Sequence, residues 1–343
     1  RGLDRSRNEA KGLLPEESAL RARVEELGFE TLCVDGMRDA SWDRASLAGM
    51  TALFRAERPD IVHIGASLTA RLAARRARVP AIVVTKHCAA EPCGALGRCK
   101  RRLVDTLAAD KVVAVSRAVG EQLAAAGTPR EKLCVICNGI MPVPPYDGGA
   151  REALRESLGL DRGRLWVGVA ARLETVKGVD LFLDAARRVL ERRDDVRFAV
   201  FGVGSQEAAL RAMVSDLGDK VRFLGFCDEI EQALGLLDIV VVPSRSEAFC
   251  LSAAEALSMG TPVVAFDVDG VSEVVRDGVT GRLAPAGDTA ALAARIEALL
   301  DDPALRLRLG EQGRELVLRE FTAETMTRKT EALYDELAAR KGR

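Results

Sequence analysis

At 343 residues, with 48% hydrophobic and 29% charged side chains, the chain has an ordinary globular composition, which excludes a disordered segment, a collagen-like repeat and a disulfide-stapled miniprotein. Fifty Lys and Arg against 51 Asp and Glu leave a net charge of −1, so nothing global argues for wrapping nucleic acid. The length is that of about two domains. With aromatics at only 4%, their cores must be built from Ala, Leu and Val, as in α/β domains whose parallel sheets are buried on both faces.

Residues 1–12 are polar and unpatterned. Glu17 to Leu27 then has helical spacing and Phe29 to Val34 reads as a strand, followed by a helix over Ser46 to Glu57 and a strand over Pro59 to Ile64. The alternation continues with a helix around Leu68 to Arg76, a strand Ala81 to Thr85, a helix Lys100 to Ala109, a strand Lys111 to Val115, a helix from Ala118 and a strand Leu133 to Ile136. Strands separated by helices of this length mean βαβ units and a parallel sheet. Met141 to Gly149 holds three prolines and two glycines and reads as the linker between two domains. Beyond it come strands near Leu165–Ala170, Arg197–Phe201, Val221–Phe223, Ile239–Val242 and Pro262–Ala265, with helices from Val179, Gln206, Ile230, Ser252 and Val271. Helical patterns close the chain over Thr289–Leu300, Pro303–Arg319 and Thr322–Arg340. The fold class expected is α/β, two Rossmann-like domains with a helical tail.

No run approaches the ~18 apolar residues of a membrane span, and no signal-peptide pattern is present. Eight irregularly spaced cysteines read as reduced thiols, so a cytoplasmic location is expected. Between Arg71 and Ile140 thirteen basic residues stand against five acidic ones. The basic cluster Arg71 to Arg102 reads either as a solvated face or as a docking surface for anionic lipid at the inner face of a membrane.

Two strand-to-loop-to-helix turns carry the chemistry. The first is Ser246-Glu247-Ala248-Phe249-Cys250-Leu251-Ser252, continuing to Glu255, directly after the strand Ile239–Val242. Open α/β sheets bind ligands beyond the carboxyl ends of their strands. A helix start offers free N–H groups and partial positive charge, so the amides of Cys250, Leu251 and Ser252 suit a phosphate, while Glu247 and Glu255 suit hydroxyls. The second turn is Arg172-Leu173-Glu174-Thr175-Val176-Lys177-Gly178, after the strand Leu165–Ala170. Arg172 and Lys177 together can neutralise a diphosphate without a metal. The plainer readings are a capping Glu247, a solvated Glu255 and two ordinary surface cations.

The spacing Glu247-x7-Glu255, the Arg172 to Gly178 turn, Phe201-Gly202-x-Gly204, Phe223-Leu224-Gly225-Phe226, Gly260-Thr261-Pro262-Val263-Val264-Ala265 and Gly270 to Gly281 resemble the retaining nucleotide-sugar glycosyltransferases of glycosyltransferase family 4. In the first half the resemblance takes in Pro59 to His63, Val113 to Ser116 and Asn138-Gly139-Ile140. It implies the GT-B fold, two Rossmann-like domains facing across a cleft. Residues 1–145 are then the acceptor side, 146–320 the donor-binding domain, and 321–343 a helix crossing back to the first domain. The family's opening strand and Gly-rich loop have no counterpart before Glu17, so the first domain is expected to be incomplete at its start.

The same resemblance implies the roles. Arg172 and Lys177 would hold the donor diphosphate, Glu255 the ribose hydroxyls and Glu247 the transferred sugar, with Cys250 and Leu251 backbone near sugar and phosphate. Gly204, Phe226 and Ser252 complete the donor set. His87 would face the donor sugar, with His63, Ser116 and Asn138 as further cleft positions. The reaction implied is transfer of a sugar from a nucleoside-diphosphate sugar to a hydroxyl acceptor, glycan or lipid-linked, in polysaccharide or lipopolysaccharide assembly, with retention and with no metal or cofactor. The family usually has Gly where Ala171, Cys250 and Asp269 stand, and often Asp in place of Met141; a side chain at Cys250 is expected to narrow the pocket. Three other readings are weaker. A nicotinamide-dependent oxidoreductase would use Gly202-x-Gly204, but Glu207 replaces its third glycine; a binder without catalysis would fit an incomplete first domain; and His87, Cys88, Cys93 and Cys99, with Cys134 and Cys137, have spacings that suit zinc.

Overall fold

A computed structural model describes residues 2–37, 41–65, 67–87 and 94–341. It divides into two compact units, Arg1–Cys137 with Ala323–Arg343, and Asn138–Thr322. The first division, between Cys137 and Asn138, falls just before the proline-rich stretch from Met141 to Gly149. Ile140 bridges Thr322 and donates its N–H to Phe321 O at 2.9 Å, so the start of the proline segment belongs to the second unit. Gln232 holds the rest of it, accepting from Tyr146 N at 2.9 Å and donating to Pro144 O at 2.7 Å.

The first unit has strands β1 (Lys11–Leu13) and β2 (Glu30–Leu32), paired in parallel with each other, and a four-stranded parallel sheet in the order β3 (Ile61–Ile64), β4 (Ala81–Lys86), β5 (Lys111–Ala114), β6 (Leu133–Val135). Strand β1 lies in the stretch that reads as unpatterned; three residues are too few to show a period of two. Ala81, Ile82, Val83 and Val84 are all fully buried, because helices cover both faces of a parallel strand. The helix Ala323–Lys341 supplies part of that cover, packing Leu333, Leu337, Met326 and Tyr334 on Ala81, Val83, Val113 and Ile136.

Part of the basic cluster is interior. Arg71 is 4% exposed and Asp105 2%, their side chains meet at 2.6 Å, and Arg71 Nε also donates to Ala108 O at 3.2 Å. Thr128 donates to the other carboxylate oxygen at 2.7 Å. Arg75 donates to Leu107 O and lies 3.4 Å from Asp110. Arg71 therefore leaves the surface proposed from the charge count, for helix Leu68–Ala77 turns it inward onto helix Ala95–Ala108. Ser116 is also fully buried, and its hydroxyl caps helix Arg117–Ala125 by accepting from Val119 N at 3.1 Å.

The second unit holds β7 (Leu165–Ala170), β8 (Val196–Phe201), β9 (Val221–Gly225), β10 (Ile239–Val242), β11 (Val263–Phe266) and β12 (Gly281–Ala284), all parallel. Strand β12 and the helix Gly148–Ser157 escape the sequence reading, the helix because its two glycines read as linker. The order is β12-β11-β10-β7-β8-β9, which from the other edge is 3-2-1-4-5-6 within the unit, the order of dinucleotide-binding sheets. Helix Val179–Leu190 buries Phe182, Leu183, Ala186 and Val189 on this sheet, with Phe182 edge-on to Phe198 at 5.7 Å between ring centres.

Candidate active site

Strand order places the site. The order reverses between β7 and β10, and a ligand crevice opens at such a point beyond the strands' carboxyl ends. The loop after β7 carries Arg172 and Lys177; the loop after β10 carries Glu247 and Cys250 and leads into helix Leu251–Ser258. These loops are 70 residues apart in sequence yet in contact: Lys177 Nζ lies 2.6 Å from Glu247 Oε1. The Ser244 hydroxyl donates to the same oxygen at 2.8 Å.

Several side chains that the sequence reading passed over hold this contact in place. Gly178 has φ +65°, and a Cβ there would stand 2.0 Å from Pro243 O, so only glycine lets the two loops meet. Arg245 donates its N–H to Val176 O at 2.9 Å and its guanidinium to Thr175 O at 2.7 Å, and it grips Asp180 through both carboxylate oxygens at 2.8 and 2.6 Å. Only the apposition of β7 and β10 reveals that pair, because its members are 65 residues apart. Asp269 accepts from the Ser246 hydroxyl at 2.5 Å and from Glu247 N at 3.2 Å.

Two of the three positions where the resembling family has glycine have positive φ, +74° at Cys250 and +39° at Asp269. Each costs an L-residue about 1–2 kcal/mol. Asp269 offsets the cost through its two bonds to the Ser246–Glu247 segment. Cys250 is 3% exposed, with its thiol 3.9 Å from Ser252 Oγ. Burial, then the Glu247 charge, push that thiol up to about 12, so it stays protonated and inert. It sits inside the loop instead of projecting to narrow a pocket.

Glu255 lies on helix Leu251–Ser258, one turn beyond Leu251 and Ser252. Burial, with Glu231 as the second cause, raises its pKa to about 7. A half-buried carboxyl held protonated in this way, beside a helix start, is a candidate functional group. Arg172 is exposed on its loop. Gly204 has no room for a Cβ, which would stand 2.5 Å from Leu173 O, and Gly202 would meet Ala171 O at 1.9 Å. Loop packing thus accounts for both glycines that prompted the nicotinamide reading. Phe226 follows β9 and is 74% exposed.

The remaining candidates sit elsewhere. His87 is exposed at the exit of β4 in the first unit. His63, on β3, has Nδ1 2.6 Å from the Tyr334 hydroxyl and Nε2 2.6 Å from that of Thr85. The residue keeps an exposed edge, but its ring is enclosed enough that burial, followed by His87, pushes its pKa down to about 4. At neutral pH it is an uncharged tie between sheet and terminal helix. Asn138 is half-buried at the start of the second unit. Of the zinc reading, Cys88 and Cys93 lie outside the described residues; among the described residues no three His, Cys, Asp or Glu side chains are grouped for a metal.

A parallel sheet in this order, with a cation–carboxylate pair and an open helix start at its reversal point, has the doubly wound α/β architecture in which ligands bind beyond the carboxyl ends of the strands. The chain belongs to the glycosyltransferase family 4, group 1 type, with the GT-B fold: residues 150–316 match the family described as glycosyl transferases group 1, and residues 9–142 match Glycosyltransferase Family 4. It is 30% identical to the 2-deoxystreptamine glucosyltransferase of Streptomyces kanamyceticus over 93% of this chain and 88% of that one. With the phosphatidyl-myo-inositol mannosyltransferase of Mycobacterium leprae it shares 41% identity over 43% of this chain and 40% of the relative. With the alpha-D-kanosaminyltransferase of Streptomyces kanamyceticus the figures are 34%, 56% and 50%, so the matched stretch spans half or less of these two relatives. The solved structure of Anabaena Alr3699/HepE in complex with UDP and glucose has the same fold, with a TM-score of 0.83 at 22% identity over 95% of this chain and 92% of that one.

Proposed function

We propose that this chain transfers a sugar from a nucleoside-diphosphate sugar to a hydroxyl acceptor, with retention at the anomeric carbon and without a metal. The observation that carries the reading is the meeting of Lys177 and Glu247 beside the start of helix Leu251–Ser258. Lys177, Arg172 and the amides of Leu251 and Ser252 then neutralise the diphosphate as it departs, where preorganised positive charge is most effective. Glu247 accepts from sugar hydroxyls and Glu255 from the ribose. Retention is supported by the family membership alone. The UDP and glucose held by the Anabaena protein and the lipopolysaccharide core mannosyltransferase of Rhizobium meliloti among the relatives support a nucleotide-sugar donor and a glycan or lipid-linked acceptor.

The test uses the raised Glu255 carboxyl. Ribose hydroxyls bind an ionised carboxylate more strongly than a protonated one, so affinity for nucleotide sugars should rise with pH through about 7 and level off above it, unaffected by EDTA. In the free protein the sign is opposite: the folded pKa exceeds the unfolded one, so stability contributed by protonation is present below about 4.5 and is lost as pH rises to 7. Glu255→Gln should therefore raise the unfolding free energy at pH 8 by up to about 3 kcal/mol, leave it nearly unchanged at pH 4, and weaken nucleotide binding. A pH-independent affinity with unchanged binding by Glu255→Gln would defeat the assignment.

The first unit offers a surface suited to a lipid-borne acceptor. Leu96, Leu103 and Leu107 are 85%, 60% and 60% exposed on one face of helix Ala95–Ala108, which also carries Arg98, Lys100, Arg101 and Arg102. Apolar and basic residues so arranged suit a helix lying in the plane of an anionic bilayer. Sedimentation with anionic vesicles should show binding that falls with salt and is lost in Leu103→Glu/Leu107→Glu. Equal binding by that variant would remove the helix from the contact.

A further inference from the structure

The pair between Lys177 and Glu247 is built into the free protein. Their side chains are 23% and 11% exposed, so the attraction is screened less than in a surface pair. Gly178 against Pro243 fixes the loop of Lys177, Arg245 ties that loop to its neighbour, and Asp269 fixes the backbone of Glu247. Both backbones are thereby held, which keeps the two side chains within reach of each other. Yet a diphosphate at Lys177 must approach with Glu247 beside it, and two negative groups sharing one cation repel. An intact nucleotide sugar brings hydroxyls that donate to the Glu247 carboxylate as Lys177 turns partly to phosphate. A bare nucleoside diphosphate brings no such donors and carries an additional charge.

We infer that Glu247 competes with the diphosphate for Lys177, so that the site discriminates the intact nucleotide sugar from the nucleoside diphosphate left after transfer. This rests on the donor reading above. Specificity here arises from a repulsive element that only one ligand compensates. The consequence is faster release of the spent nucleotide, a step that often limits turnover.

Isothermal titration of UDP, GDP, ADP and TDP into the wild-type chain, Glu247→Gln, Glu247→Asp and Lys177→Ala tests it. For whichever diphosphate binds the wild type, Glu247→Gln should bind about 5–10-fold tighter and Lys177→Ala at least tenfold weaker. Equal or weaker binding by a folded Glu247→Gln overturns the competition while leaving the donor reading intact. Should Glu247→Gln fail to fold, Glu247→Asp, one methylene too short to hold Lys177 as closely, should show a smaller gain, and no gain overturns the inference. If no diphosphate binds the wild type or either Glu247 variant, or if Lys177→Ala binds as the wild type does, the donor reading falls and the inference with it.

Discussion

Lys177→Ala should lower kcat/KM for sugar transfer by about a thousandfold. Removing one preorganised donor at a site of developing charge costs about 10²–10³, and here a second loss adds to the first. Among the described residues the Glu247 carboxylate would keep the Ser244 hydroxyl alone, and its uncompensated charge would face the diphosphate. Because leaving-group charge is greatest in the transition state, kcat should fall as well as donor affinity. Initial rates with the nucleotide sugar that binds best would measure it, and Lys177→Arg should recover part of the rate because it restores charge without the same reach. Retention of a tenth or more of wild-type kcat/KM by the alanine variant would remove Lys177 from the transition state.

Arg71→Ala should destabilise the first unit by about 3–5 kcal/mol, the cost of stranding a buried partner charge. The Asp105 carboxylate would keep Thr128 but lose the guanidinium at 2.6 Å, in a site where both residues are almost wholly inaccessible. For a unit of this size that corresponds to a fall in melting temperature of roughly 10 °C. Calorimetry or urea unfolding would measure it, and Arg71→Met with Asp105→Leu should recover much of the loss, because replacing both members leaves no buried charge. A shift under about 2 °C for Arg71→Ala would show that the pair is not desolvated as the structure places it.

Much of the site is legible locally. Lys177, Glu247 and Glu255 are each identified by a turn from strand to loop to helix within about a dozen residues, where charge and backbone N–H groups fall at a helix start. The positions of the family glycines are legible as well, and the structure supplies the reason at two of them, the positive φ of Cys250 and Asp269. Arg71 is misplaced by the sequence because a charged side chain on a helix reads as exposed unless its partner is known. That partner is on another helix, 34 residues away.

The sequence by itself determined the alternation of strands and helices, the parallel sheets and the two turns that carry the candidate site, since each is written in periodicities and turns of short range. It also reached the family. Tertiary structure alone decided the order β12-β11-β10-β7-β8-β9, and with it which loops adjoin. The contact of Lys177 with Glu247, the grip of Arg245 on Asp180 and the packing of Gly178 on Pro243 all follow from β7 lying beside β10. Residues 65 to 70 positions apart carry no local signal of one another; hydrogen bonding between strands and burial of the sheet's two faces bring them together.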